Sequence, residues 1–347
     1  MVRVSIQQKV VLYRSLATLL NSGIHLLDAF KSLQRQTREP ELVAALERIE
    51  LHLTRGQSLS HALSTQPNLF SPLVLALVRV GERTGKLHHV LQRVADLTEA
   101  QDRLLRKLQS ALIYPAFVLA ICLLLLIFAP IFVFNDLLAL LSELKTDLPL
   151  ATRAYLGFSR LMTSPLTYLI VVPLLGLGLW WLRELLRDPK RRLAAETLLL
   201  STPALGPLLL SAEAAKMCHS MAVCYEAGLP ILDTLKLSSE STGFSLIQEK
   251  AGPAREALME GSGLAEALSH MEIFDPTVLG LLSSGEESGR VAEMLKGAAR
   301  QKEEEASYAV DTFQKLLEPC LLLLVGLIVG FIAIATLAPT LKIVESL

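Results

Sequence analysis

The segment Gly81-Glu82-Arg83-Thr84-Gly85-Lys86-Leu87 is the nearest approach in this chain to a phosphate-binding loop. Such a loop needs four residues between its glycines, then Lys, then Ser or Thr. Its backbone amides cradle phosphate oxygens, and the hydroxyl holds magnesium. Here three residues separate the glycines, and Leu87 stands where the hydroxyl belongs. The related run Gly285-Glu286-Glu287-Ser288-Gly289 continues with Arg290 and Val291, so it lacks the lysine as well. Both runs read as helix-to-helix turns whose glycines supply left-handed or close-packed backbone. Glu82 and Glu286 are placed to accept bonds from amides at the start of the next helix, or to meet a partner. None of the seven histidines falls in H-E-x-x-H, and no G-x-S-x-G nucleophile turn occurs. His88 and His89 are adjacent, so on a helix they are expected to diverge rather than chelate. Cys122, Cys218, Cys224 and Cys320 have no paired zinc spacing and read as small buried hydrophobes. The residues point to no catalytic group, no cofactor and no metal, hence to a non-enzyme.

The elements that hold these residues announce themselves through hydropathy. Of 347 residues, 52% are hydrophobic and 19% charged, and Lys+Arg (33) nearly balances Asp+Glu (34). That balance excludes intrinsic disorder and argues against a nucleic-acid partner, which a basic excess would announce. No charge occurs in 108–135, 161–182 or 319–341. Each run reaches the roughly 20 residues that a bilayer span requires. Trp180 and Trp181 close the second run, where interfacial aromatics belong. Twelve cations flank the three runs on the side expected to be cytoplasmic, among them Arg103, Arg106, Lys107, Arg183, Arg187 and Lys315, against four on the other side: Lys145, Arg153, Arg160 and Lys342. The positive-inside rule puts the richer side in the cytoplasm. The expected layout is a cytoplasmic helical bundle at 1–110, a span at 111–134 and a periplasmic loop at 135–163. A second span at 164–183 and a cytoplasmic linker at 184–212 follow. A second bundle at 213–314, a third span at 315–341 and a periplasmic tail at 342–347 complete the chain. No secretory leader is expected, because Arg3, Lys9 and Arg14 interrupt the N-terminal run.

The two bundles are one domain used twice. Ser22-Gly-Ile-His-Leu-Leu-Asp28 matches Ala227-Gly-Leu-Pro-Ile-Leu-Asp233 at an offset of 205. At the same offset, Gly56-Gln-Ser-Leu-Ser-His-Ala-Leu63 matches Gly261-Ser-Gly-Leu-Ala-Glu-Ala-Leu268. One deletion later, Phe70-Ser-Pro72 matches Phe274-Asp-Pro276, and Gly81–Gly85 matches Gly285–Gly289. Tyr114-Pro115 matches Glu318-Pro319, where the outer apolar runs begin. Such a register is the mark of a repeat. Each copy reads as about six helices with no strand alternation. Ser5 and Gln8 form a capping-box pattern. Leu42, Leu46, Ile49 and Leu53 share a helix face. Ser71-Pro72 places an N-cap before proline. Thr202-Pro-Ala-Leu-Gly-Pro207 marks a bend ahead of the second bundle. Glu303-Glu-Glu305 reads as a solvated face. Gly326-x-x-x-Gly330 is a small-residue helix-packing pattern within or between chains.

These residues resemble the inner-membrane platform family of type II secretion systems and type IV pili, the GspF/PilC family. The resemblance rests on Ser22-Gly-Ile-x-Leu-Leu-Asp28, Gly56-x-Ser-Leu-x-x-Ala-Leu63, Gly81-Glu-x-x-Gly85 and Lys107-x-x-x-Ala-Leu-x-Tyr-Pro115, with Gly285-Glu-x-Ser-Gly289 and Glu318-Pro319 repeating it. It implies an all-α polytopic membrane protein with two repeated cytoplasmic six-helix bundles and three transmembrane helices. It implies residence in the bacterial inner membrane, N-terminus inside and C-terminus in the periplasm. The implied partners are a cytoplasmic hexameric ATPase, pilins or pseudopilins, other inner-membrane assembly proteins and further copies of the chain. Many members carry a longer segment ahead of the first domain; here the first helix starts almost at Met1, which points to one of the shorter-subunit pilus systems. The rival class is a small transporter or channel, which would call for ionisable groups inside the spans; these runs hold none.

Overall fold

The computed structural model describes residues 4–143, 188–203 and 205–346, with positions 173 and 176–178. The described residues are helical or in turns, with no strand among them. The first copy comprises α1 (Ile6–Asn21), α2 (Leu26–Gln36), α3 (Pro40–Thr54), α4 (Leu59–Ser64), α5 (Pro72–Thr84) and α6 (Leu87–Glu143). A connecting helix α7 (Pro189–Leu200) follows. The second copy comprises α8 (Gly206–Glu226), α9 (Ile231–Ser241), α10 (Ser245–Met259), α11 (Leu264–Ser269), α12 (Pro276–Ser288) and α13 (Val291–Ser346).

Local chemistry sets the boundaries. The Ser5 hydroxyl accepts from the Gln8 amide at 3.2 Å, and the Gln8 side chain accepts from the Ser5 amide at 2.8 Å. That reciprocal box starts α1. Ser71 caps α5 through the Val74 amide, and Asp275 caps α12 through the Val278 amide at 2.9 Å; a proline follows each cap. The positive-φ glycines pair across the repeat: Gly23 with Gly228, Gly56 with Gly261, Gly85 with Gly289. The offset drops from 205 to 204 between α11 and α12. There Glu272 takes φ 53°, closing a connection one residue shorter than its counterpart.

The copies have separate cores. Phe30, Leu46, Ile49, Leu77 and Leu91 are fully buried in the first; Met217, Met221, Leu235, Ile247 and Leu295 fill the second. Both cores belong to one compact unit spanning 1–107 and 193–309. The contact between the copies is not reciprocal. Val223 and Cys224 of α8 join the first copy's core, with Ala227, Leu229 and Leu237 packed against it. Their counterparts in the first copy are Thr18, Leu19, Ser22, Ile24 and Ser32, and none of these enters the second core. Three of the five positions have become hydroxyl residues. A head-to-tail contact leaves one unused face at each end, and polar end faces keep a repeat array soluble.

Residues 108–192 and 310–347 form a second unit. Within it, Ile113 (68% exposed), Phe117 and Leu323 are open to the surroundings. Among the described residues, α6 and α13 are long and apolar enough to cross a membrane. A bare apolar surface of this extent is unstable in water.

Several segments expected as loop, tail or linker are helical. The loop expected from 135 is helical through Glu143, because Asp136 and Glu143 do not end a helix otherwise rich in Leu. The tail expected at 342–347 is helical through Ser346. The linker expected at 184–212 holds α7 and the first turns of α8. Apart from positions 173 and 176–178, the second span lies outside the described residues, as do Trp180, Trp181 and the loop cations Lys145, Arg153 and Arg160. Cys320 is exposed, unlike the other three cysteines.

The acidic run is only partly a solvated face. Glu303 meets His219 at 3.4 Å and Arg103 at 3.5 Å, and Glu305 accepts from Lys302 at 2.6 Å. Lys302 is 5% exposed and also donates to Asp275. Burial alone would lower the Lys302 pKa, but the bonds to Asp275 and Glu305 outweigh it and hold the ammonium above its ordinary range. Its raised pKa means the stabilisation is present below pH 10.5 and is lost as pH rises above that value. Lys302→Ala should lower the unfolding free energy by about 3 kcal/mol, the low end for a broken buried pair, because both carboxylates are about one-third exposed. Denaturant unfolding of the purified chain at neutral pH checks this.

Candidate functional site: two glutamate turns and the helices beyond them

Gly81 and Glu82 lie in the last turn of α5, and Gly285 and Glu286 in the last turn of α12. Each glutamate reaches back to a short helix. Glu82 accepts from the Leu59 amide, and from the Ser60 amide at 3.1 Å. Glu286 accepts from the Leu264 amide, and from the Ala265 amide at 3.1 Å. The capped helices are thus α4 and α11, about 22 residues upstream, not the helices that follow. A carboxylate here satisfies two of the orphan donors at a helix start and meets the positive end of its dipole.

The glycines explain why the pattern needs them. A Cβ on Gly81 would stand 3.1 Å from the Leu87 Cα and 3.2 Å from the Val90 Cβ. On Gly285 it would stand 2.7 Å from the Met294 Cγ and 3.3 Å from the Val291 Cα. So α6 and α13 press directly on the turn before them. Gly85 and Gly289 end α5 and α12 in the left-handed region, at φ 69° and 70°. The His88 and His89 rings lie 4.3 Å apart, closer than the divergence expected of neighbours on a helix. No group of three His, Cys, Asp or Glu able to hold a metal stands among the described residues. Burial pushes the Cys218 thiol, and the Cys224 thiol, up to about 12, so neither is a nucleophile at neutral pH.

Beyond the turns, α6 carries Tyr114, exposed, and Pro115, buried; α13 carries Glu318 and Pro319, both exposed. Helix continues through both prolines. A Cβ on Gly326 or Gly330 would meet nothing within 4 Å, so the small-residue pair faces open space. Sequence reasoning missed Lys302, Asp275 and His219. Burial lowers the His219 pKa despite its bond to Glu303.

The family description "Type II secretion system (T2SS), protein F" matches residues 12–134 and again 217–339, an offset of 205 at both ends. The chain belongs to the type II secretion system protein F family. The chain is 33% identical over 328 residues to the type 4 fimbrial assembly protein PilC of Pseudomonas putida, covering 94% of this chain and 81% of that protein. It is 29% identical over 329 residues to the type II secretion system protein F of Vibrio cholerae, covering 95% and 80%. Against the type IV pilus assembly protein PilC of Thermus thermophilus the figures are 30% over 338 residues, 96% and 82%. Each protein F family segment runs from the first helix of a copy to the far part of its long helix. The family unit therefore includes the glutamate turn and the apolar stretch together.

Proposed function

We propose that this chain is the multi-pass inner-membrane platform of a type IV pilus or type II secretion machine. Its two cytoplasmic six-helix copies receive the movement of a hexameric ATPase. Three transmembrane helices deliver that movement to pilins or pseudopilins, which leave the membrane and polymerise. The chain itself catalyses nothing and takes no cofactor. The observation that carries this reading is the joining, in each repeat, of a glutamate-locked cytoplasmic turn to one long helix that becomes apolar. A helix without a break is a stiff lever: α6 has no glycine or proline from Leu87 to Leu108, and α13 has one glycine, Gly297, and no proline from Val291 to Glu318.

Reporter fusions test the topology. Fusions after Ser64 and Ser245 should report the cytoplasm, and fusions after Ser142 and Ser346 the periplasm. A cytoplasmic signal at Ser142 would overturn the three-span arrangement and the platform reading with it.

A further inference from the structure

The two copies share a fold but not a charge. Residues 1–107 hold fifteen Lys and Arg against nine Asp and Glu, a net charge of +6. Residues 205–309 hold eight against sixteen, a net charge of −8. The whole chain is near neutral, at −1, so the charges are separated rather than in excess.

The reversal is concentrated around the glutamate turns. Glu82 draws the end of α5 onto the start of α4. Arg55, which closes α3, His61 in the first turn of α4 and Arg83 beside Glu82 surround that joint. At the equivalent positions of the second copy stand Glu260, Glu266 and Glu287. All six are exposed. Among the described residues, the side chains of Arg55, Arg83, Glu260, Glu266 and Glu287 make no hydrogen bond or ion pair, so neither turn is neutralised by the other within the chain. Lys86 adds a further cation to the first turn; its counterpart Arg290 is paired with Glu293 at 2.9 Å. Like charges gathered at one joint repel, and each patch is best complemented by a surface of the other sign. This chain carries both surfaces on one scaffold.

The turns also stand at nearly one level. Arg103 meets Glu303 and Lys107 meets Ser307, so α6 and α13 run side by side in the same direction. Their first residues, Leu87 and Val291, precede the Lys107–Ser307 contact by 20 and 16 residues, roughly 30 and 24 Å of helix. Molecules standing side by side in one membrane therefore hold the basic turn of one near the height of the acidic turn of the next.

We propose that the occupant of each turn is a second molecule of this chain, the basic turn of one docking on the acidic turn of its neighbour. The contact is heterologous, because the two surfaces differ. The shared height rests on the membrane reading above; the charge pairing does not.

The test follows the purified full-length chain in detergent by sedimentation velocity. The native chain should self-associate at low salt and dissociate as salt rises, since exposed charges are screened. Arg55→Glu with Arg83→Glu makes both turns acidic; Glu260→Arg with Glu287→Arg makes both basic. Each change installs the residue that the other copy already carries at that position, so the fold survives it, and thermal melts check this. Either variant alone should associate at least about tenfold more weakly than the native chain, because like charges then face each other. An equal mixture of the two should recover association. A native chain that stays monomeric at low salt overturns the proposal, as does undiminished association of either variant. A mixture no tighter than its components also overturns it and assigns the turns to other proteins. The sample contains no ATPase and no pilin, so failure here leaves the platform reading standing.

Discussion

Glu286→Ala should destabilise the compact helical unit of residues 1–107 and 193–309 by about 3 kcal/mol, and Glu82→Ala by about 2 kcal/mol. Bonds to a charged acceptor contribute about 1.5–3 kcal/mol each. Each glutamate accepts two, but the freed amides lie at a helix start and regain part of that loss from water. The two copies differ in what remains. In the first, the Ser58 hydroxyl still accepts from the His61 amide at 3.2 Å. In the second, the corresponding N-cap is Gly263, with no side chain to offer. That difference is worth about 1 kcal/mol. It also predicts a rescue. A Cβ on Gly263 would stand 3.0 Å from a Glu286 carboxylate oxygen, so Gly263→Ser is crowded in the native chain. With Glu286→Ala the space is vacant, and the serine should restore about 1 kcal/mol by capping α11. Urea unfolding of the four combinations measures this. Losses near zero in both copies, with no rescue, would refute the capping role.

The parts of this fold that were legible are those written in consecutive residues. The capping box at Ser5 and Gln8, the Ser71-Pro72 start and the Gly56 stop depend on local geometry, and local geometry leaves local signals. The repeat was legible because one set of turn glycines occurs twice at one spacing. The direction of Glu82 was not legible. Its partners lie 22 and 23 residues upstream, joined to it only once α4 and α5 pack. Lys302 was hidden for a related reason. In sequence it heads an acidic run, which looks like solvent-facing charge; in the fold the chain turns Glu303 toward the first copy and Glu305 toward Lys302. The length of α6 past residue 135 was missed because Asp136 was read as an end of apolar sequence, and a helix does not stop where hydropathy does. The polar replacement of Thr18, Ser22 and Ser32 is visible only after the head-to-tail contact of their counterparts is known.

The central claim is mechanical: the long helices carry motion from the cytoplasmic copies into the membrane. In α6, Arg106 pairs with Asp102, and Lys107 donates to the Ser307 carbonyl oxygen at 3.1 Å, so the helix is anchored to α13 just before its apolar stretch. Insertion of Gly-Gly-Ser between Arg106 and Lys107 places three poor helix formers in that stem. It turns a stiff connection into a flexible one. The direct measurement is pilus assembly or substrate secretion by a strain carrying this variant. Its membrane insertion is followed in parallel, with protease resistance of the cytoplasmic copies and ATPase binding. The account predicts a folded, inserted, ATPase-bound protein whose output falls at least tenfold below the native level, a barrier change of about 1.4 kcal/mol or more. Normal output from the same variant would contradict it and leave α6 as a passive anchor.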